Sequence, residues 1–375
     1  MTLAASVRDD LEPRRAEMVA LLQRLVEIES PSDHRPGLDQ FAATVQELFA
    51  EFGPVEAIGA ERGTHLLLRV DGSASTHAVA LCHYDTVWPL GTLASIPFSV
   101  DAKGVARGPG CFDMKAGIVV LYFALRAVRE RLARPLHVLF TCDEEVGSPT
   151  SRALIEDTAR GAAVAYVLES PLPGGTLKTA RKGTGDYFVR IEGRAAHAGV
   201  EPQKGISATH ELAAQTLALH ALNDYAVGTT VNVGVVQGGT RPNVVAATAE
   251  AHVDVRVTTL DEATRIDAAI RGLTPSLPGA RLYITGGLNR PPMERSPAMA
   301  ELFARAHEIA ASMDVPLEEG STGGGSDGNF TAAIGVPTLD GLGAEGEGAH
   351  AAHEHVLTDS LPRRAALVAG LLAEV

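Results

Sequence analysis

The 375-residue chain has only three cysteines, Cys82, Cys111 and Cys142. So few thiols, and an odd number, argue against a disulfide framework and point to a reducing, cytoplasmic setting. No apolar run approaches ~20 residues, so no membrane-spanning helix is expected. The opening stretch, MTLAASVRDDLEPRRAEM, lacks a basic start followed by an apolar segment, and no secretory signal is read there. Positive charge is also short: 32 Lys and Arg stand against 46 Asp and Glu, a net of −14. Such a surface repels phosphate backbones and gains nothing from anionic lipid, so neither nucleic acid nor membrane is an expected partner. Internal repeats and low-complexity tracts are absent.

What the chain does have is core. Apolar residues make up 45% of it, and its length suits two domains. Met18, Leu21, Leu22, Leu25 and Ile28 recur at helical spacing, as do Leu38, Phe41, Val45, Leu48, Phe49 and Phe52. HLLLRV (65–70), HAVALC (77–82), LHVLFTC (136–142) and AVAYVLE (163–169) read as strands, and Gly117 to Glu130 as a crossover helix. Near-continuous apolar strands alternating with helices predict an α/β fold, a mostly parallel sheet with helices on both faces. The pattern changes near residue 180. DYFVRIEGR alternates like a half-exposed strand, and the succession to RLYITGG is β-α-β-β-α-β, a ferredoxin-like α+β layout. Helix, strand and helix then resume. The expected organisation is a discontinuous main domain, 1–179 and 289–375, with an inserted domain at 180–288.

Five polar clusters follow apolar runs or sit in glycine-rich loops: His83-Tyr84-Asp85, Gly110-Cys111-Phe112-Asp113, Cys142-Asp143-Glu144-Glu145, Glu169-Ser170, and His350 to His355. A single acid or histidine at a strand end is ordinarily a solvated loop residue. Five such clusters suit one crevice beyond the carboxyl ends of the strands. Crowded carboxylates need positive charge among them. Mixed imidazole and carboxylate donors suit zinc or similar divalent ions, and metal-assisted hydrolysis is the reaction class such a site serves. A cysteine ligand stays open at this point, although small buried thiols at strand ends are ordinary core residues.

HYDTVWP, GPGCFDMKAG, TCDEEVGS, LES and GAHAAHE, in this order and spacing, resemble the five ligand motifs of the dizinc aminoacylase and carboxypeptidase metallopeptidase family, and most closely its glutamate carboxypeptidase branch. The resemblance runs nearly the full chain. It implies that Asp113 bridges two zinc ions, that His83 and Glu169 complete the first, and that Glu145 and His350 complete the second. It makes Asp85 the residue that orients His83, and Glu144 the general base. Cobalt or manganese would fit the same donors. It further implies a cis peptide between Asp113 and Met114. His197, Asn243 and Arg256 in the inserted domain would bind the scissile carbonyl or the substrate carboxylate. The backbone of Gly324, Gly325 and Ser326 would receive that carboxylate at a helix N-terminus, and a homodimer would form through the inserted domain, which also acts as a lid.

The implied activity is zinc-dependent release of a C-terminal amino acid, glutamate for example, from a small peptide or N-acyl amino acid. Two readings stand beside it: an N-acyl-amino-acid deacylase like acetylornithine deacetylase or a desuccinylase, and a non-catalytic metal-binding or dimerisation protein on the same fold. Gly323, Gly325 and Gly328 match a dinucleotide fingerprint, with Glu345 where a ribose ligand would fall, but no βαβ unit surrounds them. The chain departs from the family's pattern at Ala246, where proline is common. It also departs at His353, where an acidic or polar residue is usual, which leaves His353 and His355 as rivals to His350.

Overall fold

Five apolar strands and a short sixth build the main sheet: β1 (Val55–Gly59), β2 (Thr64–Val70), β3 (Ala78–His83), β4 (Leu136–Thr141), β5 (Val164–Val167) and Thr338–Leu339. The structure is a computed structural model describing residues 1–375. The sheet order is β1-β2-β4-β3-β5 followed by Thr338–Leu339. β3 runs parallel to β4 and β5, and Thr338–Leu339 runs parallel to β5. β1–β2 and β2–β4 are antiparallel. The sheet is thus mixed and mostly parallel.

Burial on both faces explains why these strands read as continuous apolar runs. Ala78, Ala80 and Cys82 of β3 enter one core, and Val79 and Leu81 enter the other. The larger core is closed by α1 (Leu3–Leu11), α2 (Arg15–Val26), α3 (Arg35–Phe49) and α4 (Ala116–Val128), with the helices Pro297–Ala311 and Ser360–Glu374. The smaller lies beneath α5 (Arg152–Ala159) and Phe330. α4 is apolar all round and almost wholly buried, as a helix between a sheet and other helices must be. The sequence reading starts its helices at Met18. The structure adds α1, where Ala4, Val7 and Leu11 are buried and Thr2 Oγ1 accepts the Ala5 amide at 3.3 Å. By its sequence VPLEE (315–319) is strand-like, but the strand that forms is displaced to Glu319–Thr322.

The chain divides into two compact units, the first of residues 1–180, 295–322 and 326–375 and the second of 181–294 with 323–325. The second unit holds β6 (Gly183–Glu192), α6 (Ala208–His220), β7 (Thr230–Gly238), β8 (Thr248–Val257), α7 (Leu260–Arg271) and β9 (Arg281–Arg290). Its antiparallel sheet has the order β7-β8-β6-β9, the ferredoxin-like arrangement. Val253, Val255 and Val257 of β8 face Leu212, Leu219, Ile266 and Ile270 of the helices. Intervening polar residues such as Asp254 and Arg256 point to the sheet's other face, which follows from the two-residue strand period. β9 continues to Arg290, which carries this unit past residue 288.

Candidate metal centre

Because β3, β4 and β5 run in parallel, their carboxyl ends lie side by side. His83 is the last residue of β3, Asp143 to Glu145 follow β4, and Glu169 follows β5. Gly110 takes a left-handed φ of +70° and opens a π-type turn, Cys111–Lys115, that presents Asp113 to the same edge. The Asp113–Met114 peptide is cis. His350 sits at φ +63°, a conformation uncommon for a residue with a Cβ.

Asp113 lies between two imidazoles. Its Oδ1 is 3.2 Å from His83 Nε2 and its Oδ2 is 3.4 Å from His350 Nε2. His83 Nε2 is also 3.2 Å from Glu169 Oε1, and His350 Nε2 is 3.0 Å from Glu145 Oε2. Two groups of donors converge: His83, Asp113 and Glu145, and His83, Glu144 and Glu169. Of the three clustered histidines, His350 is the one whose ring meets these carboxylates. His353 is exposed, and His355 Nδ1 lies 3.0 Å from the His353 carbonyl.

The donor set fits divalent metal. Ligands ~2.0–2.2 Å from a tetrahedral ion stand roughly 3.3–3.5 Å apart, near the 3.0–3.4 Å separations here. The charges say the same. Burial opposes ionisation of Asp113, yet hydrogen bonds from His350 and His83 hold it well below the usual carboxylate range. Burial also opposes charge on His83, but Asp113, Asp85 and Glu169 keep it well above an ordinary histidine. Hydrogen bonds to Asp113 and Glu145 raise His350 to about 10. Glu145 is still lifted to about 7, first by burial and further by Asp113 and Asp85, although the His350 ring pulls it down. Two imidazoles therefore do not neutralise the cluster, and added cations would. The thiols take no part: Cys82, Cys111 and Cys142 are all buried, and burial raises each.

Asp143, the first of the three consecutive acids, is satisfied without any cation. Its carboxylate accepts the amides and hydroxyls of Thr150 and Ser151 at 2.6–3.2 Å, just ahead of α5. Asp85 accepts the Glu144 amide at 3.1 Å, the Glu145 amide at 3.2 Å and the Ser32 hydroxyl at 2.7 Å. Its Oδ1 is 3.5 Å from His83 Nδ1, and its backbone carbonyl is 3.1 Å from the same nitrogen. Asp327 binds the hydroxyls of Thr141 and Ser148. A cleft of about 330 Å³ opens beside Glu145 between Pro31, Val87, Trp88 and Val146.

Sequence reasoning missed Glu354. It is 3% exposed and gathers four N–H groups, from Trp88, Gly110, Phe112 and Asp113. Its only signal was its place in GAHAAHE, four residues after His350.

In the second unit, His197 and Asn243 are exposed loop neighbours: the Ala198 amide donates to the Asn243 carbonyl at 3.0 Å. Arg256 forms a forked pair with Asp254, with Nη2 to Oδ1 at 2.8 Å. The Gly324 and Gly325 carbonyls each accept from Arg181 Nη1 at 3.1 Å. Ser326, in the first unit, is fully buried. Its amide goes to Asn329 Oδ1 and its hydroxyl to Asp340, so internal bonds engage the groups expected to meet substrate. The following helix, Gly328–Ala333, has only 6 residues. Glu345 is held by Arg363 through two 2.9 Å bonds, which leaves no ribose site there.

Imidazoles and carboxylates converging at the carboxyl edge of a mostly parallel sheet define a metal-dependent hydrolase. The chain belongs to Peptidase family M20/M25/M40, whose profile matches residues 80–374. It is 29% identical over 376 residues to Carboxypeptidase G2 of Pseudomonas sp. (strain RS-16), covering 96% of this chain and 89% of that protein. Aminopeptidase PepT from Bacillus cereus has the same fold, with a TM-score of 0.77 at 23% identity over 96% of this chain and 98% of that one. So does the M20 family metallo-carboxypeptidase Sso-CP2 from Sulfolobus solfataricus, with a TM-score of 0.75 at 15% identity over 95% and 98%. The protein is a hydrolytic enzyme of the metallopeptidase and amidohydrolase kind. No helix is long and apolar enough to cross a membrane.

Proposed function

We propose that this enzyme hydrolyses an amide bond to release a C-terminal amino acid, with glutamate the first candidate, from a small peptide or an N-acyl amino acid. Two divalent ions, zinc foremost, would supply Lewis acidity to the amide carbonyl and acidify the attacking water. The observation that carries this reading is Asp113, whose two oxygens face His83 at 3.2 Å and His350 at 3.4 Å. That is the posture of a bridging carboxylate. His83 and Glu169 would help hold one ion, and Glu145 and His350 the other.

Glu144 is the general base. Its amide is tied to Asp85, so its side chain starts from a set position beside the ligands. It takes the proton of the attacking water and returns it to the leaving amine nitrogen. Asp85 holds the His83 ring. His197 and Asn243 receive the carbonyl oxygen, and Arg256 and the glycine loop at Gly324 and Gly325 take the substrate carboxylate, a match of cation and N–H donors to an anion. A homodimer through the second unit accords with apolar side chains left exposed there: Leu217 at 74%, and Val235 and Val236 of the edge strand β7 at 50% and 57%.

One observation favours a second role for Glu144. Its carboxylate groups with His83 and Glu169 closely enough to be a ligand itself. A hydrolysis screen over dipeptides and N-acyl amino acids, with metal analysis, decides both matters. Cleavage by the metal-loaded enzyme with preference for C-terminal glutamate supports the carboxypeptidase reading. Preference for short acyl groups selects the deacylase. If no amide is cleaved, the catalytic reading fails. For a general base, Glu144→Gln should lower kcat by about 10²–10⁴-fold and keep its metal; loss of metal would make Glu144 a ligand.

A further inference from the structure

Asp113 sits in a turn that local backbone bonds hold only in part. It follows GPG, and its own carboxylate is turned toward two imidazoles. Within the turn the Cys111 amide donates to the Gly108 carbonyl at 3.2 Å and the Lys115 amide to the Gly110 carbonyl at 3.1 Å, while the amides of Gly110, Phe112 and Asp113 all go to one distant side chain. Glu354 Oε1 accepts the amides of Phe112 at 2.8 Å and Asp113 at 3.0 Å, and Oε2 accepts the Gly110 amide at 2.8 Å and Trp88 Nε1 at 2.7 Å. Those donors lie 241 to 266 residues away in sequence.

Three chain segments therefore meet on one carboxylate. Trp88 follows His83 and Asp85, the 110–113 turn carries Asp113, and Glu354 ends the short loop that carries His350. That loop is closed by Ala351 N to Gly348 O at 2.9 Å and Glu354 N to Ala351 O at 2.8 Å, with His350 at φ +63° inside it. A buried acceptor that takes two N–H bonds on each oxygen has no neutral substitute of the same shape. An amide at this position turns its NH₂ toward one pair of N–H donors whichever way it is placed.

We infer that Glu354 is a positioning residue of the metal centre: it sets the distance between Asp113 and the segments bearing His83 and His350, and thereby the affinity for metal. This rests on the metal centre proposed above. Outer groups that orient ligands typically account for about 10–100-fold in metal affinity or activity.

The test compares the wild-type enzyme with Glu354→Gln and Trp88→Phe, using zinc titrated against a competing chelator, kcat and KM at several zinc concentrations, and the thermal midpoint of the metal-free proteins. Glu354→Gln should weaken zinc binding by about 10–100-fold and lower kcat at limiting zinc, with partial recovery as zinc is raised and KM little changed. Trp88→Phe, which removes one donor and keeps the carboxylate, should shift zinc affinity in the same direction by less. Recovery by added zinc separates positioning from a merely structural role, which zinc would not restore. The inference is overturned if Glu354→Gln binds zinc within about twofold of wild type, or if its lost activity is indifferent to zinc. Should Glu354→Gln fail to fold, unchanged zinc affinity in Trp88→Phe overturns it instead. Wild-type protein that binds no divalent ion would overturn the metal centre itself, an outcome distinct from either variant's.

Discussion

Asp85 Oδ1 accepts the backbone amide of Glu144 at 3.1 Å, a bond between residues 59 apart in the chain. The carboxylate beside His83 thus also holds the backbone of the candidate base. His83 and the Glu144 backbone are registered to each other through one fully buried side chain.

Asp85→Ala should therefore do more than loosen an imidazole. It removes the acceptor of the Glu144 and Glu145 amides and the Ser32 hydroxyl together. Each buried donor left unpaired costs about 1–3 kcal/mol. The expected outcome is lower stability in urea denaturation together with a fall of about 10–100-fold in zinc affinity or kcat. Full zinc content and turnover would show that Asp85 has no part in the site.

The three clustered histidines are expected to behave differently. His350→Ala should lower the zinc bound per chain, because its ring lies 3.0 Å from Glu145 and 3.4 Å from Asp113. His353→Ala, altering an exposed side chain, should retain it. Metal analysis after dialysis reads both; the reverse pattern would reassign the ligand.

Gly117 tests the packing behind the site. An added Cβ would lie 2.0 Å from the Leu168 carbonyl oxygen, next to Glu169. Alanine ordinarily stabilises a helix interior by about 1 kcal/mol over glycine. Here the sign should reverse, with Gly117→Ala destabilising by about 1–3 kcal/mol or more as α4 is pushed from β5. Denaturant midpoints compared with wild type give the answer.

His137 provides a pH test away from the centre. Its ring stacks on His77 with centroids 4.2 Å apart, and burial, then the charges of His77 and Arg69, lower it to about 4. The folded state thus prefers the neutral ring. As pH falls from about 6.5 toward 4, the unfolded chain takes up a proton the folded one refuses, and stability is lost. Above pH 6.5 the residue contributes no such dependence. His137→Gln should remove roughly 1 kcal/mol of the stability lost between pH 7 and pH 5, a figure reduced for solvent screening of a half-buried ring. Parallel urea curves for the two proteins across that range would count against this.

Much of the fold could be read from local pattern. β2, β3, β4 and β5 were visible as apolar runs because burial on both faces leaves no polar alternation. β6 and β8 were visible because one face lies under helices and the other does not. α1 escaped, although Ala4, Val7 and Leu11 carry its period, and the strand at Glu319–Thr322 was displaced because so short a pairing has no pattern of its own. In the site, the motifs bearing His83, Asp113, Glu145, Glu169 and His350 could be picked out as donors, and the structure brings these five side chains together. Ser326 shows the opposite case. A loop residue with a free-looking amide and hydroxyl has both committed to Asn329 and Asp340.

By itself the sequence determined which donors stand at the ends of which strands, and that acids so crowded need compensation. Only the tertiary structure decided how the acids divide the work. It gave Asp143 to Thr150 and Ser151, brought the ring of His350 rather than that of His353 to Asp113 and Glu145, and placed Glu354 beneath the Asp113 turn. The physical reason is range. Strand and helix periods are written in neighbouring residues, whereas a hydrogen bond between residues 241 apart exists only once the chain has closed that loop.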